Sequence, residues 1–309
     1  MGATIIDGRR LADELRGRVR GELELARASG ASPGLATIRV GDDYAAQAYE
    51  RRLQRHAEAI GCTFVGECLP ADAELADVLA TVGKLNADPR VTGILVLRPL
   101  PPQVPEVALY GILDPAKDIE AVHPANAGLM AHGLPRFVPS TPASCFYVLD
   151  HYARSKGEDA SKFLTGKTVV IVGRSHNVGK PAVWLALDRD ATVVSCNLQT
   201  SEAGRLEHFT RQADVLIVAA GVPGLITADH VREGVIAIDV GINPVEDPLT
   251  GKVRLVGDLD AESVALKAEA LTPVPGGVGP ITDIWLVRNA VIAAIALHTD
   301  LPFSPLLTG

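Results

Sequence analysis

The chain has 309 residues, a net charge of −8, 47% hydrophobic and 21% charged residues, ordinary figures for a globular protein with room for two domains. No Lys/Arg-rich run accompanies the acidic balance, so neither nucleic acid nor an anionic membrane is expected as a partner. The four cysteines, Cys62, Cys68, Cys145 and Cys196, lack CxxC spacing and are too few for a disulfide scaffold, so no metal site is expected and a reducing, cytoplasmic setting is.

The opening MGATIIDGRR lacks the basic and apolar regions of a secretory signal, and Asp7 stands where a myristoylation signal wants Ser or Thr. Leu11, Leu15, Val19 and Leu23 recur at helical spacing and predict an amphipathic helix, with Asp7 as its N-cap and Gly30 as its stop. Leu35 to Val40 reads as a short buried strand ending at Gly41. A helix over Ala45 to Ile60 stops at Gly61, and a second strand, Gly93 to Leu97, ends at the breaker Pro99-Leu100-Pro101-Pro102. Strand followed by helix, repeated, predicts a parallel sheet. A Pro-rich passage, Pro135 to Pro142, precedes a helical stretch from Ala143 to Ser155, and the polar segment Lys156 to Thr165 reads as a linker. The next unit opens with Thr168 to Val172, an apolar run typical of a central parallel strand, and Val193 to Ser195, Val215 to Ala219 and Val235 to Val240 follow at βαβ spacing. The apolar helix predicted over Thr282 to Leu297 returns to the first domain; its longest unbroken apolar run, Ala290 to Leu297, is far short of the ~20 residues that span a bilayer.

Directly after Val172 comes Gly173-Arg174-Ser175-His176-Asn177-Val178-Gly179-Lys180-Pro181. A glycine-rich turn from strand to helix lets the backbone approach a pyrophosphate, whose charge the helix N-terminus stabilises. The pattern departs from G-x-G-x-x-G, with Ser175 at the second glycine and Gly179 one residue late, so the flanking strands carry the assignment to dinucleotide binding. The following strand ends Ser195-Cys196-Asn197-Leu198-Gln199, with no acid for a ribose hydroxyl and no cation for a 2′-phosphate. The missing cation favours NAD slightly; Arg174 keeps NADP open. Cys196 reads as a buried small residue.

This turn resembles that of the methylene-tetrahydrofolate dehydrogenase/cyclohydrolase family. So do Thr272-Pro273-Val274-Pro275-Gly276-Gly277-Val278-Gly279-Pro280-Ile281-Thr282, Pro139-Ser140-Thr141-Pro142, Val240-Gly241-Ile242-Asn243, Lys117-Asp118-Ile119, and Val40-Gly41-Asp42 with Tyr49. The likeness spans essentially the whole chain. It implies an α/β fold of two domains. A three-layer α/β folate domain covers 1–148 and is completed by 284–309, and a Rossmann-type dinucleotide domain covers 149–283. It implies a tetrahydrofolate substrate and a homodimer. It assigns the folate to Tyr49, Leu53, Val96, Leu97, Glu120, Pro275, Gly276, Gly277 and Val278. The dinucleotide falls to Gly173, Arg174, Ser175, Val178, Gly179, Asn197, Leu198, Gly221, Ile242 and Thr282.

Two catalytic positions depart from the family. Leu53 fills the slot of its acid/base lysine, four residues after the pterin-stacking Tyr49, and Arg55 points to a different helix face. Leu97 fills the slot of its glutamine, in Val96-Leu97-Arg98-Pro99-Leu100-Pro101, while Glu120 keeps a carboxylate at its pterin-gripping aspartate. Hydride transfer asks for alignment, whereas hydrolysis of the methenyl product asks for a titratable group. Dehydrogenation with weak or absent cyclohydrolase activity is therefore expected, with Tyr49 and Glu120 carrying the site. A folate- or dinucleotide-binding paralogue without turnover, and a dehydrogenase for a modified pterin, are the alternatives. Cys145 reads as a core cysteine or a substrate contact, and His123 as structural.

Overall fold

The computed structural model describes residues 2–246 and 251–299. Strand β1 (Thr4–Ile5) leads to helix α1 (Gly8–Ala28), where the Asp7 carboxylate accepts the N–H groups of Arg9 and Arg10 at 2.9 and 3.3 Å. Leu11, Leu15, Val19 and Leu23 are fully buried, as their spacing predicts. Next come β2 (Gly34–Val40), α2 (Tyr44–Ile60), β3 (Thr63–Leu69), α3 (Leu75–Ala87), β4 (Gly93–Val96), α4 (Glu106–Tyr110), α5 (Pro124–Ala131) and α6 (Ser140–Ser155). Asp43 caps α2 by accepting the N–H of Ala46 at 2.8 Å, and Gly61 ends it in the left-handed region at φ 107°. The second half holds β5 (Thr168–Val172), α7 (Gly179–Leu187), β6 (Thr192–Cys196), α8 (Leu198–Glu202), α9 (Leu206–Thr210), β7 (Val215–Val218), β8 (Ile236–Asp239), β9 (Asn243–Glu246), β10 (Val253–Val256), α10 (Ala261–Val264), β11 (Ala270–Leu271) and α11 (Val278–His298).

The chain forms two compact units. One takes residues up to Asp13 together with Thr141–Thr282; the other takes Glu14–Ser140 together with Asp283 onward. These divisions differ from the expected 1–148 and 149–283 in three places, the smallest being Asp283, which falls with the other unit rather than the dinucleotide one. The N-terminal residues join the dinucleotide unit because β1 pairs in parallel with β11, and α6 joins it almost whole. Of the expected segment 284–309, residues 300–309 lie outside the described residues.

The dinucleotide unit holds a six-stranded, all-parallel sheet in the order β1-β11-β8-β7-β5-β6, with β9 and β10 paired as a separate antiparallel hairpin. Val169 to Val172 and Val215 to Val218 are buried on both faces, as continuous apolar runs require. The other unit holds the parallel sheet β3-β2-β4, extended beside β4 by a single bridge from Ile94 to Asp118. From Asp283 onward α11 crosses this sheet. Thr92 Oγ1 donates to Ala290 O at 2.8 Å, and Asn289 Nδ2 donates to Ile119 O and Val138 O at 2.8 and 2.9 Å. A Cβ on Gly93 would stand 2.6 Å from Ile119 and 3.0 Å from Ala290, so the strand must be glycine where the helix passes. Among the described residues α11 is the one helix long and apolar enough to cross a bilayer, and 72% of that stretch is buried within the protein.

Candidate active site

The glycine turn is built by backbone against backbone. Gly173 has φ 115°, and a Cβ there would meet Ala219 O at 2.1 Å; a Cβ on Gly179, the first residue of α7, would meet Gly173 O at 2.2 Å. Ser175 ties the turn through its Oγ, 3.4 Å from the Gly179 N–H. Behind it lies a cavity of about 300 Å³ lined by Gly173, Arg174, Ser175, Asn197, Leu198, Ala219, Ala220 and Val222 among others. Arg174 reaches the end of β6, donating to Ser195 Oγ at 3.1 Å and Ser195 O at 2.7 Å. Asn197 caps α8 in a reciprocal pair with Thr200. Val178 caps α7, and Gly221 sits between two lining residues at φ 68°. Ile242 is exposed and Thr282 donates within the unit to Val278 O and Ser144 Oγ, and neither is among the residues lining this cavity.

Two carboxylates not foreseen from sequence brace the loops around it. Asp258 accepts the N–H groups of Ala220, Gly221 and Val222 at 2.6 to 2.9 Å, and the Asn243 amide at 2.8 Å. Asp239 accepts those of Gly241, Asp258 and Leu259, while burial pushes its carboxyl up to about 6. Gly241 and Gly257 leave room for these groups, since a Cβ on either would fall 2.2 Å or less from a carboxylate oxygen. The Pro-Gly-Gly loop belongs to the same unit. Gly8 donates to Gly276 O at 2.9 Å and lies so close that its own Cβ would overlap Gly277 O; the Val274–Pro275 peptide is cis, and Val278 starts α11.

In the other unit Tyr49, Arg52, Leu53 and His56 follow on α2 at the spacing of one helix face. Leu53 and Leu97 are buried, with 0% and 4% exposure, and neither can move a proton. Arg55 turns away, donating to Arg51 O at 3.3 Å on the exposed side. The loop Lys117 to Glu120 is no solvated charge run. Lys117 Nζ is buried on the carbonyls of Leu85, Asn86 and Asp88 at the end of α3, and Asp118 accepts from Val122, His123 and Asn126. That leaves Glu120, half-buried and accepting the Ser140 N–H at 2.9 Å; desolvation raises its carboxyl above the usual range. Burial, with the charges of Asp283 and Glu120 and against that of Arg52, holds the Tyr49 phenol well above its ordinary value.

Asp283 is the residue sequence reasoning missed. It is 3% exposed and accepts Arg52 Nε at 2.7 Å and Arg52 Nη2 at 3.4 Å, and His56 Nε2 lies 3.7 Å away. The Arg52 guanidinium sits 5.0 Å from the Tyr49 ring centre. An aspartate in the first half of a largely apolar helix was the available signal. Cys145 is a buried core thiol raised by desolvation, Cys196 is likewise buried, and His123 caps α5 by accepting the Ala125 N–H.

A glycine turn between a parallel strand and a helix, and on the second α/β unit an aromatic row facing a buried aspartate, are the architecture expected of a nicotinamide-linked dehydrogenase of α/β class. Two family profiles match: the catalytic domain of tetrahydrofolate dehydrogenase/cyclohydrolase over residues 6–120, and its NAD(P)-binding domain over residues 139–298. The chain belongs to the tetrahydrofolate dehydrogenase/cyclohydrolase family. It is 61% identical over 310 residues to bifunctional protein FolD 3 of Rubrobacter xylanophilus, covering 100% of this chain and 98% of that one. The bifunctional FolD structure from Campylobacter jejuni matches with TM-score 0.86 and 36% identity, over 96% of this chain and 99% of that one. The Trypanosoma brucei dehydrogenase-cyclohydrolase, solved with NADP and an inhibitor, matches with TM-score 0.85 and 32% identity, over 96% and 98%.

Proposed function

We propose that this chain oxidises the one-carbon bridge of methylenetetrahydrofolate by hydride transfer to NADP, and that hydrolysis of the methenyl product is the slow half of its chemistry. The observation that carries this reading is a fully formed glycine turn in a chain whose positions 53 and 97 hold buried leucines. As hydride leaves carbon, the adjoining ring nitrogens push electron density behind it, and no proton moves at the reacting atom. The side chains have only to align the partners. Tyr49 offers a ring face to the pterin, and Glu120 offers a carboxylate to its amino and ring N–H groups. Gly173 and Gly179 let the turn close backbone against backbone at the start of α7, whose N-terminus would stabilise the charge of a pyrophosphate. The bound nicotinamide supplies the hydride acceptor. Hydrolysis instead requires water to be deprotonated and a ring nitrogen protonated, a task worth ~10²–10⁴-fold that Leu53 and Leu97 cannot perform.

A strand end without a cation of its own is the ground for a slight lean to NAD. Arg174, bonded to Ser195, brings one there and favours a phosphorylated ribose. The free cysteines fit a reducing, cytoplasmic setting. The test is to mix purified chain, methylenetetrahydrofolate and each cofactor, following reduced nicotinamide and methenyl absorbance together. Reduction with methenyl accumulation, and a higher kcat/KM with NADP, is expected. No reduction with either cofactor overturns the reading; a preference for NAD overturns the cofactor assignment alone.

A further inference from the structure

The face of α2 that carries Tyr49 holds two titratable side chains that Leu53 separates in sequence, Arg52 and His56, and both turn to the same buried carboxylate. Asp283 is enclosed, whereas Arg52 is 46% and His56 26% exposed at the side chain. An ionised carboxylate in such a place is costly unless it is paired, and the Arg52 guanidinium supplies that pairing across both oxygens. The 3.7 Å from Asp283 Oδ2 to His56 Nε2 is too long for a direct hydrogen bond and short enough for transfer after a small shift or through one water. The buried acid thus has an outlet to solvent.

We propose that Asp283, held by Arg52 and connected to solvent through His56, is the general base for such hydrolysis of the methenyl cation as this chain performs. The assignment rests on the reading of Tyr49 as the residue against the pterin. Water adds to the methenyl carbon as Asp283 takes one of its protons, giving a neutral hydroxyl adduct. The hydroxyl then gives up its proton as a ring nitrogen gains one, the carbon–nitrogen bond breaks and the formyl carbonyl forms. The proton on Asp283 leaves through His56, so each cation hydrolysed releases one proton and no electrons change hands. Arg52 and His56 are positioning residues.

The charged and titratable groups around the pair define a pH signature. Asp283 is raised by burial and lowered by Arg52 and His56; His56 is lowered by burial and by Arg16, Arg52 and Arg55 and raised by Asp283; Tyr49 in turn feels Asp283, Glu120 and Arg52. A base must be ionised to act, so the hydrolysis rate rises with pH through a carboxylate lifted above its usual range. His56 favours the ionised form, and its loss moves that rise to higher pH.

The experiment supplies methenyltetrahydrofolate directly and follows its loss against pH, with hydride transfer and thermal melting measured in parallel. Wild type should exceed the uncatalysed rate. Asp283→Asn should lower the ratio of hydrolysis to hydride transfer by about 10²-fold, the scale of general base catalysis. Asp283→Glu should restore part of it, and His56→Gln should shift the rising limb upward in pH. Should Asp283→Asn fail to fold, the Glu and Gln variants decide the matter. Wild-type hydrolysis no faster than the uncatalysed rate, an Asn variant with the wild-type ratio, or an unmoved limb in His56→Gln overturns the proposal. Failure of the dehydrogenase reading shows separately, as absent nicotinamide reduction.

Discussion

The two sites are made of different material. Around the dinucleotide turn the decisive contacts are main chain on main chain, with Gly173 against Ala219 and Gly179 against Gly173, and carboxylates that bind loop N–H groups. On the α2 face the decisive contacts are side chains: Tyr49, Arg52, His56 and Asp283. A site made of backbone tolerates little exchange, because any Cβ at the crossing points collides. A site made of side chains can be rewritten while the scaffold keeps its shape.

That contrast can be strained by three substitutions. Leu53→Ala carries the largest effect, because the side chain is fully enclosed; it should cost ~2–5 kcal/mol of stability in denaturant unfolding. A loss under about 1 kcal/mol would mean the position is an open pocket wall, closer to surface substitutions than to core ones. Glu120→Gln should weaken folate binding by roughly 10–100-fold, in line with hydrogen bonds to a charged group at ~1.5–3 kcal/mol, and leave dinucleotide binding nearly untouched. Calorimetric titration with each ligand separates the two, and equal losses would point to damaged folding. Gly179→Ala should do the converse at ~1–3 kcal/mol of overpacking, weakening the dinucleotide while sparing folate. Unchanged dinucleotide affinity would remove the backbone argument for this turn.

Much of this was legible before any coordinates. The four-residue recurrence from Leu11 to Leu23, the stops at Gly30 and Gly61 and the apolar runs at 168–172 and 215–218 reflect local periodicity, which sequence states directly. Strand β3, Thr63–Leu69, went unread because Gly66 and Glu67 interrupt an edge strand that is half exposed. Strand β1 is two exposed residues, and what makes it a strand is pairing with β11, 266 positions away (Thr4 with Ala270). The buried ends of Lys117 and Asp118 were equally invisible, since four charged or apolar letters in a loop do not say which helix end they plug. In the site, residues fixed by a motif could be named, and those fixed by meeting another helix could not. Asp283 acquires its partners only when α11 lies along α2.

The passage of α11 over Gly93 has a bearing on biosynthesis. A nascent chain released as far as residue 140 has its three parallel strands but lacks the helix that covers Thr92, Ile119 and Val138. That unit is therefore sealed only after the whole dinucleotide unit has been made, and its apolar sheet face stays open to water, or to a chaperone, until residues 283–298 follow.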